Sequence, residues 1–281
     1  MSKIVVTSDQ HLGYEHSNVS DFVNFLDYIL ERNDVQSLVL LGDLVDMWRR
    51  DVSGLFLCFS EITKKLLDLQ NYKKIDIYIV AGNHDYHLLK LQAQDYKFHF
   101  YQELSPAASD WPIVKMSGNK KYVFKHGWEF DLAQHPLVME ALCHNMSDEA
   151  GHARSSIYNI LQIAKDQFDR GLKEIIDFHD QRDGYVQNLL LTPEERLKPY
   201  LSDVEKKAYS TVNADETLIF GHTHRPFISS DGKLLNTGSW VSDAEFHNTF
   251  VQVEDKETKL FQFIDKQTIK DLTDKLRYVL S

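Results

Sequence analysis

Cysteine is scarce in this sequence, and long apolar runs are missing. The 281 residues include two cysteines, Cys58 and Cys143, which are too isolated to indicate a disulfide framework or a thiolate zinc site. No stretch approaches the ~20 consecutive apolar residues that a transmembrane helix needs. The first residues lead directly into a predicted strand, which leaves no room for a signal peptide. These absences predict a cytoplasmic protein without a membrane span.

An excess of basic residues is also missing. Lysine and arginine total 31 against 42 aspartates and glutamates, which gives a formal net charge of −11. Proteins that hold nucleic acid through its phosphates usually present a basic face, so nucleic acid is not a favoured partner. Bound divalent cations would offset part of the acidity, so a small phosphorylated substrate remains compatible with this composition.

The first hundred residues alternate short β-rich runs with amphipathic segments. The periodicity predicts helices over 20–32, with Ser20 as the N-cap, and over 55–69. Strands are predicted around them at 3–7, 37–41 and 74–80, followed by a hairpin of 114–116 and 122–125. This βαβαβ order indicates parallel strands with helices on their faces.

The character of the chain changes at about residue 132, where strand signals disappear and helical runs replace them as far as residue 213. Strands return at 217–220, 233–236, 249–253 and 260–264, and a helix is predicted over 268–279. The sequence therefore predicts an α/β core formed by 1–131 and 214–281, with 132–213 inserted as a helical cap.

Five short polar clusters lie where predicted strands end, and ligand sites in open α/β sheets are built at strand ends. Residues two apart in an extended segment face the same side. Asp9 and His11 can therefore approach one ion together, and His222 and His224 have the same two-residue spacing. The clusters are Ser8-Asp9-Gln10-His11-Leu12-Gly13, Gly42-Asp43-Leu44-Val45-Asp46, Gly82-Asn83-His84-Asp85, Lys125-His126-Gly127 and Gly221-His222-Thr223-His224.

Each cluster alone has an ordinary structural explanation, since Gly-Asp and Gly-Asn are common turn pairs. The prediction of a metal site depends on their combination, because all five occur in order at strand-to-loop junctions. Mixed aspartate, histidine and asparagine ligands suit divalent ions such as Mn²⁺, Fe²⁺ or Zn²⁺. The absence of thiolate ligands argues against a closed structural zinc site.

Together the clusters resemble the signature of the calcineurin-like metallophosphoesterases, which reads DxH, GDxxD, GNH[DE], a lone histidine and GHxH. The match runs from Asp9 to His224. The resemblance implies a four-layer αββα sandwich with two divalent metal ions at one edge, for which we expect Mn²⁺, with Fe or Zn as alternatives. It implies that one ion is bound by Asp9, His11, Asp43 and His224, with Asp43 bridging, and the second by Asn83, His126 and His222.

Two metal ions can share a water or hydroxide and lower its pKa, so no serine or cysteine nucleophile is required. Adjacent side chains diverge, so His84 is not expected to bind metal if Asn83 does. In the family the equivalent of His84 lies over the leaving group. This predicts His84 as a general acid and Asp46 as the residue that orients it.

The segments around the motifs resemble the subgroup of UDP-2,3-diacylglucosamine pyrophosphatase, which carries a helical cap between the lone histidine and GHxH. That subgroup has arginine where this chain has His84. A phosphate monoester departs without much protonation, whereas an alkoxide needs an acid. His84 therefore favours a broader phosphodiesterase or phosphomonoesterase acting on a phosphorylated small molecule, nucleotide or lipid-linked substrate.

Two other functions fit parts of the sequence. The motifs also resemble those of repair-type DNA nucleases of the superfamily. The lack of a basic tract argues against a nuclease function. A non-catalytic interaction scaffold would lack ligands, but every motif ligand is present. Basic residues near the motifs or in the predicted cap are candidates for substrate binding: Arg49, Arg50, Arg154 and Arg225.

Overall fold

A computed structural model describes residues 3–50, 52–91, 98–104, 121–130, 202–254 and 257–278. The helices are α1 (Val19–Glu31), α2 (Val52–Tyr72) and α3 (Asp203–Ser210), with 3₁₀ turns at Tyr86–Leu91 and Trp128–Phe130. The strands are β1 (Lys3–Thr7), β2 (Val35–Leu41), β3 (Asp76–Val80), β4 (His99–Tyr101), β5 (Glu103–Leu104), β6 (Lys121–Lys125), β7 (Glu216–Phe220), β8 (Phe227–Ser229), β9 (Leu234–Asn236), β10 (Thr249–Glu254), β11 (Glu257–Phe263), β12 (Ile269–Asp271) and β13 (Arg277–Tyr278).

The strands form two mixed sheets. One has the order β12-β11-β10-β1-β2-β3-β4 and the other β13-β8-β9-β7-β6-β5. Strands β1 to β4 run parallel to one another, with α1 and α2 connecting the first three. This arrangement confirms the predicted βαβαβ unit. Strands β6 and β7 are also parallel, in the second sheet.

The alternation of side chains along the strands creates four layers. On β1, Val5 faces a core that includes Phe25 of α1 and Leu66 of α2. Its neighbours Ile4 and Val6 face the opposite core, which they share with buried residues of β6, β7 and β9 in the second sheet. The outer face of that sheet packs against Ala208 of α3. The described residues therefore form the predicted αββα sandwich, since burial of both faces of each sheet requires covering layers.

The helix predicted over 268–279 is wrong, because β12 and β13 occupy this region. Strand β12 pairs antiparallel with β11, and β13 pairs parallel with β8. Leu272 and Leu276 have helical spacing because a single turn joins them, in which Leu276 N donates to Leu272 O at 2.9 Å. Both leucines are buried between the sheets. In the sequence, a single turn with two apolar residues four positions apart shows the same hydrophobic spacing as a helix.

Two smaller predictions also differ from the structure. Helix α1 begins at Val19, so Ser20 lies inside it and Asn18 holds the N-cap position without a side-chain capping bond. Asn18 instead donates its side-chain amide to Asn248 at 2.8 Å. The predicted hairpin strand 114–116 lies outside the described residues, as does most of the predicted cap 132–213, apart from 202–213 with α3.

The motifs follow the carboxyl ends of the parallel strands in both sheets. The loops after β1, β2 and β3 carry the first three motifs, and the ends of β6 and β7 carry the other two. Because parallel strands end at the same edge, the packing of the two sheets brings all five loops to one edge of the sandwich.

Candidate metal centre

The loops at this edge have an unusual backbone. Seven non-glycine residues in the described chain have positive φ angles, and five of them are predicted metal ligands. Non-glycine residues rarely adopt this left-handed conformation, which costs about 1–3 kcal/mol and persists at functional sites that over-determine it. The five are Asp9 (55°), His11 (47°), Asp43 (53°), His222 (66°) and His224 (55°).

This backbone corrects one step of the sequence interpretation. We expected Asp9 and His11 to face one side because they are two apart in an extended segment. Both residues instead have left-handed backbone. The loop is fixed by neighbouring backbone, since Asp9 N donates to Gly42 O at 3.0 Å and His11 N donates to Asp43 O at 2.8 Å.

Three motif glycines allow neighbouring loops to approach one another closely. A Cβ atom on Gly42 would lie 2.5 Å from Cγ of His126, and one on Gly82 would lie 2.5 Å from the backbone nitrogen of Asp43. A Cβ on Gly221 would lie 2.7 Å from Cβ of Ser8. These separations are far below van der Waals contact, so the absence of a side chain allows the loops to pack against one another.

Three overlapping groups of side chains in the described residues could hold a metal ion. In each group, one potential ligand atom from every residue lies within 4.8 Å of the others. The groups are Asp9, His11 and His224; His11, Asp43 and His84; and Asp9, Asp43 and His126. Carboxylate and imidazole ligands of this kind fit Mn²⁺, Fe²⁺ or Zn²⁺.

The first group has the shortest contacts. The Nε2 atoms of His11 and His224 lie 3.0 Å apart, and His224 Nε2 lies 3.2 Å from Asp9 Oδ1. Asp9 is completely buried, and its Oδ1 accepts no hydrogen bond of regular geometry from the residues that the structure describes. A buried carboxylate oxygen without a hydrogen bond is costly unless a cation or donor satisfies it. These residues therefore fit a divalent cation.

His126 lies at the centre of a second set of contacts. Its Nδ1 lies 2.9 Å from the carbonyl oxygen of Leu41, which can accept a hydrogen bond from that nitrogen and fix the ring. Its Nε2 lies 3.4 Å from Asp43 Oδ2 and 3.2 Å from Asn83 Oδ1. The structure therefore brings these three predicted ligands of the second ion together.

His222 lies beside this set without joining any of the three metal-holding groups. Its ring centroid lies 5.2 Å from that of His126, and its backbone nitrogen donates to Asp9 Oδ2 at 2.9 Å. Its assignment as a ligand stays a prediction.

Two aspartates occupy central positions. Asp43 Oδ2 lies 3.5 Å from Nε2 of His11 and 3.4 Å from Nε2 of His126. Asp9 Oδ1 lies 3.8 and 4.0 Å from the same two atoms. The sequence predicted Asp43 as the bridging carboxylate, and the geometry places Asp9 between the two sets as well.

His84 contacts both Asp46 and the metal-ligand cluster. Its Nδ1 lies 3.0 Å from Asp46 Oδ1, and its backbone nitrogen donates to Asp43 Oδ1 at 2.8 Å. The ring of Trp48 stacks on the imidazole with centroids 4.0 Å apart. These contacts hold the imidazole in one orientation beside Asp43 and His11, with which it forms one of the three metal-holding groups. Its assignment as a general acid stays a prediction.

The protonation of the site follows from its buried charges. Burial by itself lowers the pKa of His11, but the hydrogen bond to Asp46 and the nearby carboxylate of Asp9 raise it to about 10. Burial also lowers the pKa of His126, and the charge of Asp43 reverses the effect and raises it to about 10. Burial raises the pKa of Asp46, but the charge of His84 and hydrogen bonding from His11 lower it far below its usual range.

His224 differs from these two histidines. Burial lowers its pKa, and the attraction of Asp9 does not fully offset that effect. A ring that is neutral near pH 7 is already in the form that binds metal.

Asp85 is a buried residue to which the sequence interpretation gave no role. Its carboxylate accepts from the backbone nitrogens of Gly82 at 2.7 Å and Leu44 at 2.8 Å, and so connects the second and third motifs. Burial, with the nearby charge of Asp43, raises its pKa to about 7. Its motif position was the available signal, but only the fold shows which amides it binds.

The predicted substrate-binding arginines lie in different surroundings. Arg49 forms an ion pair with Asp46 and packs over the ring of Tyr14, with 4.3 Å from Cζ to the centroid. Arg50 is exposed and donates from Nε to Gly13 O at 3.2 Å. Arg225 contacts Glu205 of α3. Arg154 lies outside the described residues.

One protein family matches this chain over most of its length. A family model described as calcineurin-like phosphoesterase matches residues 2–226. UDP-2,3-diacylglucosamine hydrolase of Blochmanniella pennsylvanica (strain BPEN) is 27% identical over 226 residues, which is 80% of this chain and 80% of that protein.

Solved structures with partial likeness include a dimetal phosphatase from Danio rerio, with a TM-score of 0.45 and 13% identity, covering 97% of this chain and 98% of that one. A second is nuclease MPE of Pseudomonas putida, with a TM-score of 0.35 and 11% identity, covering 96% and 87%.

Proposed function

This chain belongs to the calcineurin-like phosphoesterase family and is a metal-dependent phosphoric ester hydrolase, and we propose that its polar edge binds two divalent cations, preferably Mn²⁺. The first would be held by Asp9, His11, Asp43 and His224, and the second by Asp43, Asn83, His126 and His222. The observation that carries this proposal is the buried Asp9 Oδ1, which has three histidine Nε2 atoms between 3.2 and 4.0 Å away.

When bound, the two ions would supply an activated water and stabilise the charge that develops on the phosphoryl oxygens. The protein holds the ligand imidazoles in fixed orientations. The bond from His126 Nδ1 to Leu41 O directs Nε2 toward Asp43, and the contact of His11 Nδ1 with Asp46 directs the Nε2 of His11 toward Asp9 and His224. Such outer contacts typically change metal affinity about 10–100-fold when they are removed.

His84 is proposed as the general acid for the leaving group. Asp46 Oδ1 accepts from its Nδ1, so Nε2 is the atom that would donate a proton to the departing oxygen. Asp46 also stabilises the imidazolium form, which must carry both protons before donation. After transfer, the neutral ring keeps its Nδ1 proton toward Asp46.

The proposed substrate class is a phosphodiester or phosphomonoester with a basic leaving group, because the chain has His84 to protonate it. A second candidate is the pyrophosphate bond of a lipid-linked nucleotide sugar. The name of the relative from Blochmanniella pennsylvanica favours it. Residues 132–213 would act as the cap that shapes the substrate pocket, with Arg154 among its substrate contacts, and the protein would act in the cytoplasm. None of the helices in the described ranges is long and apolar enough to span a membrane.

Two experiments test these proposals. A crystal grown with Mn²⁺ should show two anomalous peaks within coordination distance of the named ligands, and a single peak would contradict the two-ion assignment. Hydrolysis of an aryl monoester, an aryl diester, a UDP-sugar and single-stranded DNA should then be compared with and without Mn²⁺. Turnover of the UDP-sugar alone would replace the ester proposal by the pyrophosphate candidate.

A further inference from the structure

Glu205 is a completely buried charged residue that lies outside the proposed metal site. It belongs to α3, and both of its carboxylate oxygens are engaged. Oε1 accepts from Thr223 Oγ1 and from Arg225 Nε, each at 3.1 Å. Oε2 accepts from the backbone nitrogen of Ser202 at 2.7 Å and from Nη2 of Arg225. A buried charge of this kind is tolerated only when its partners are complete.

The partners of Glu205 lie on both sides of a predicted metal ligand. Thr223 precedes His224 in the chain and Arg225 follows it. On the other side of the loop, the side-chain amide of Asn236 donates to Thr223 Oγ1 at 3.0 Å and to Gly221 O at 2.7 Å. Hydrogen bonds to a residue of α3 on one side and from a residue of β9 on the other therefore fix the segment from Gly221 to Arg225.

This segment needs such support because its backbone is strained. His222 and His224 have φ angles of 66° and 55°. Each left-handed residue costs about 1–3 kcal/mol, so the loop keeps this conformation only if surrounding contacts select it. The two-pronged contact of a guanidinium with a carboxylate fixes direction as well as distance, which a single hydrogen bond does not.

We propose that Glu205 is a positioning residue that holds His224 in its metal-binding orientation through Thr223 and Arg225. The inference rests on the proposed function, since it takes His224 as a ligand. It also connects α3, in the segment between β6 and β7, to the metal centre. Loss of the Glu205 charge should then weaken metal binding even though the hydrogen bonds of its carboxylate to described residues go to Ser202, Thr223 and Arg225, which are not predicted ligands.

The test compares Mn²⁺ binding by wild-type protein, Glu205→Gln and Ser202→Ala, using calorimetric titration with Mn²⁺ alone at a temperature where circular dichroism shows all three folded. Ser202→Ala is the matched control, because it removes the other half of the α3 capping box, in which Ser202 Oγ accepts from Glu205 N, but leaves the Glu205 carboxylate in place. We expect Glu205→Gln to weaken one Mn²⁺ site about 10–100-fold. We expect Ser202→Ala to lower the melting temperature with affinity changed less than about twofold.

A purely structural role for Glu205 predicts that both variants lose stability and bind Mn²⁺ like the wild type, which would overturn the inference. Thr223→Val gives a second test if Glu205→Gln does not fold. It removes the contact of Thr223 with Glu205 and also the hydrogen bond from Asn236, while Arg225 keeps its contact with Glu205. One Mn²⁺ site should then weaken, and unchanged affinity would overturn the inference. If wild-type protein itself binds no Mn²⁺, the proposed function fails first. The two failures are therefore distinguishable.

Discussion

The Oδ1 atom of Asp46 lies 3.0 Å from Nδ1 of His84, while its Oδ2 atom lies 3.3 Å from Nδ1 of His11. One buried carboxylate therefore contacts both the predicted general acid and a predicted metal ligand. The sequence interpretation gave Asp46 only the first of these contacts. A change at Asp46 should consequently affect the metal site as well as the leaving group.

His84→Asn should reduce hydrolysis of alkyl phosphoesters far more than that of nitrophenyl esters. General acid catalysis contributes about 10²–10⁴-fold and matters most when the departing oxygen is most basic. Rates should be measured across a series of leaving groups, with the Mn²⁺ content verified for each preparation. An equal loss for all leaving groups, with chemistry rate-limiting, would assign His84 to stabilisation of phosphoryl charge instead.

Asp46→Asn should weaken metal binding and also impair protonation of the leaving group, whereas His84→Asn should impair only protonation of the leaving group. Loss of its contact with His11 should weaken Mn²⁺ binding about 10–100-fold, as for other outer contacts of metal ligands. Its effect on the leaving-group series should resemble that of His84→Asn in a milder form. Titration with Mn²⁺ checks the first effect, and His84→Asn serves as the control because its metal affinity should remain near that of the wild type. Equal metal affinity in both variants would contradict the double role of Asp46.

Asp43→Asn should reduce turnover by more than about 100-fold, which exceeds the loss expected for an outer contact. Its Oδ2 lies between His11 and His126, so the neutral amide would weaken both sets of contacts. Turnover and bound metal should be measured together, with Asp76→Asn as a control at the exposed start of β3. Full activity of the wild type in excess chelator, after verified metal loss, would refute the metal mechanism.

Metal binding should release protons and strengthen as the pH rises. The pKa values of His11 and His126 are raised to about 10 in the metal-free site, so both rings are protonated near pH 7. Metal binds only the neutral rings, so the apparent affinity should rise about tenfold per pH unit for each displaced proton until the pH approaches 10. Calorimetry in buffers of different ionisation enthalpy measures this release. Affinity independent of pH would show that both rings are neutral without metal.

Gly42→Ala should damage the metal site, whereas Gly232→Ala should not. Both glycines have positive φ, 85° and 67°, so both variants carry a similar backbone strain of about 1–3 kcal/mol. A Cβ atom at Gly42 would lie 2.5 Å from Cγ of His126, while a Cβ at Gly232 meets nothing within 4 Å. Urea unfolding should show the larger loss of stability for Gly42→Ala, because overlap with His126 adds to the backbone strain that both variants share. Titration with Mn²⁺ should show weaker metal binding only for Gly42→Ala. Equal Mn²⁺ affinity in the two variants would mean that the loop accommodates the methyl group without moving His126.

The sequence by itself determined the alternation of strands and helices in the first unit, the positions of the motifs at strand ends and the family. These features depend on local patterns. The hydrophobic periodicity of β1, α1 and β2, and the identity of the residues after each strand, can be read from short stretches of consecutive residues. It also predicted the residue types that suit a divalent cation. Local patterns failed at the C-terminus, where Leu272 and Leu276 follow helical spacing but are buried between two sheets.

Only the tertiary structure decided how the site residues contact one another. Asp9 binds the backbone of His222, 213 positions away in the chain, and Asp46 contacts His11 at a separation of 35 residues. The buried position of Glu205 beside Arg225 likewise depends on how α3 packs against the second sheet. No local pattern specifies such distant pairs. Burial of the sheet faces brings their loops together, and each buried charge then requires a partner within hydrogen-bonding distance.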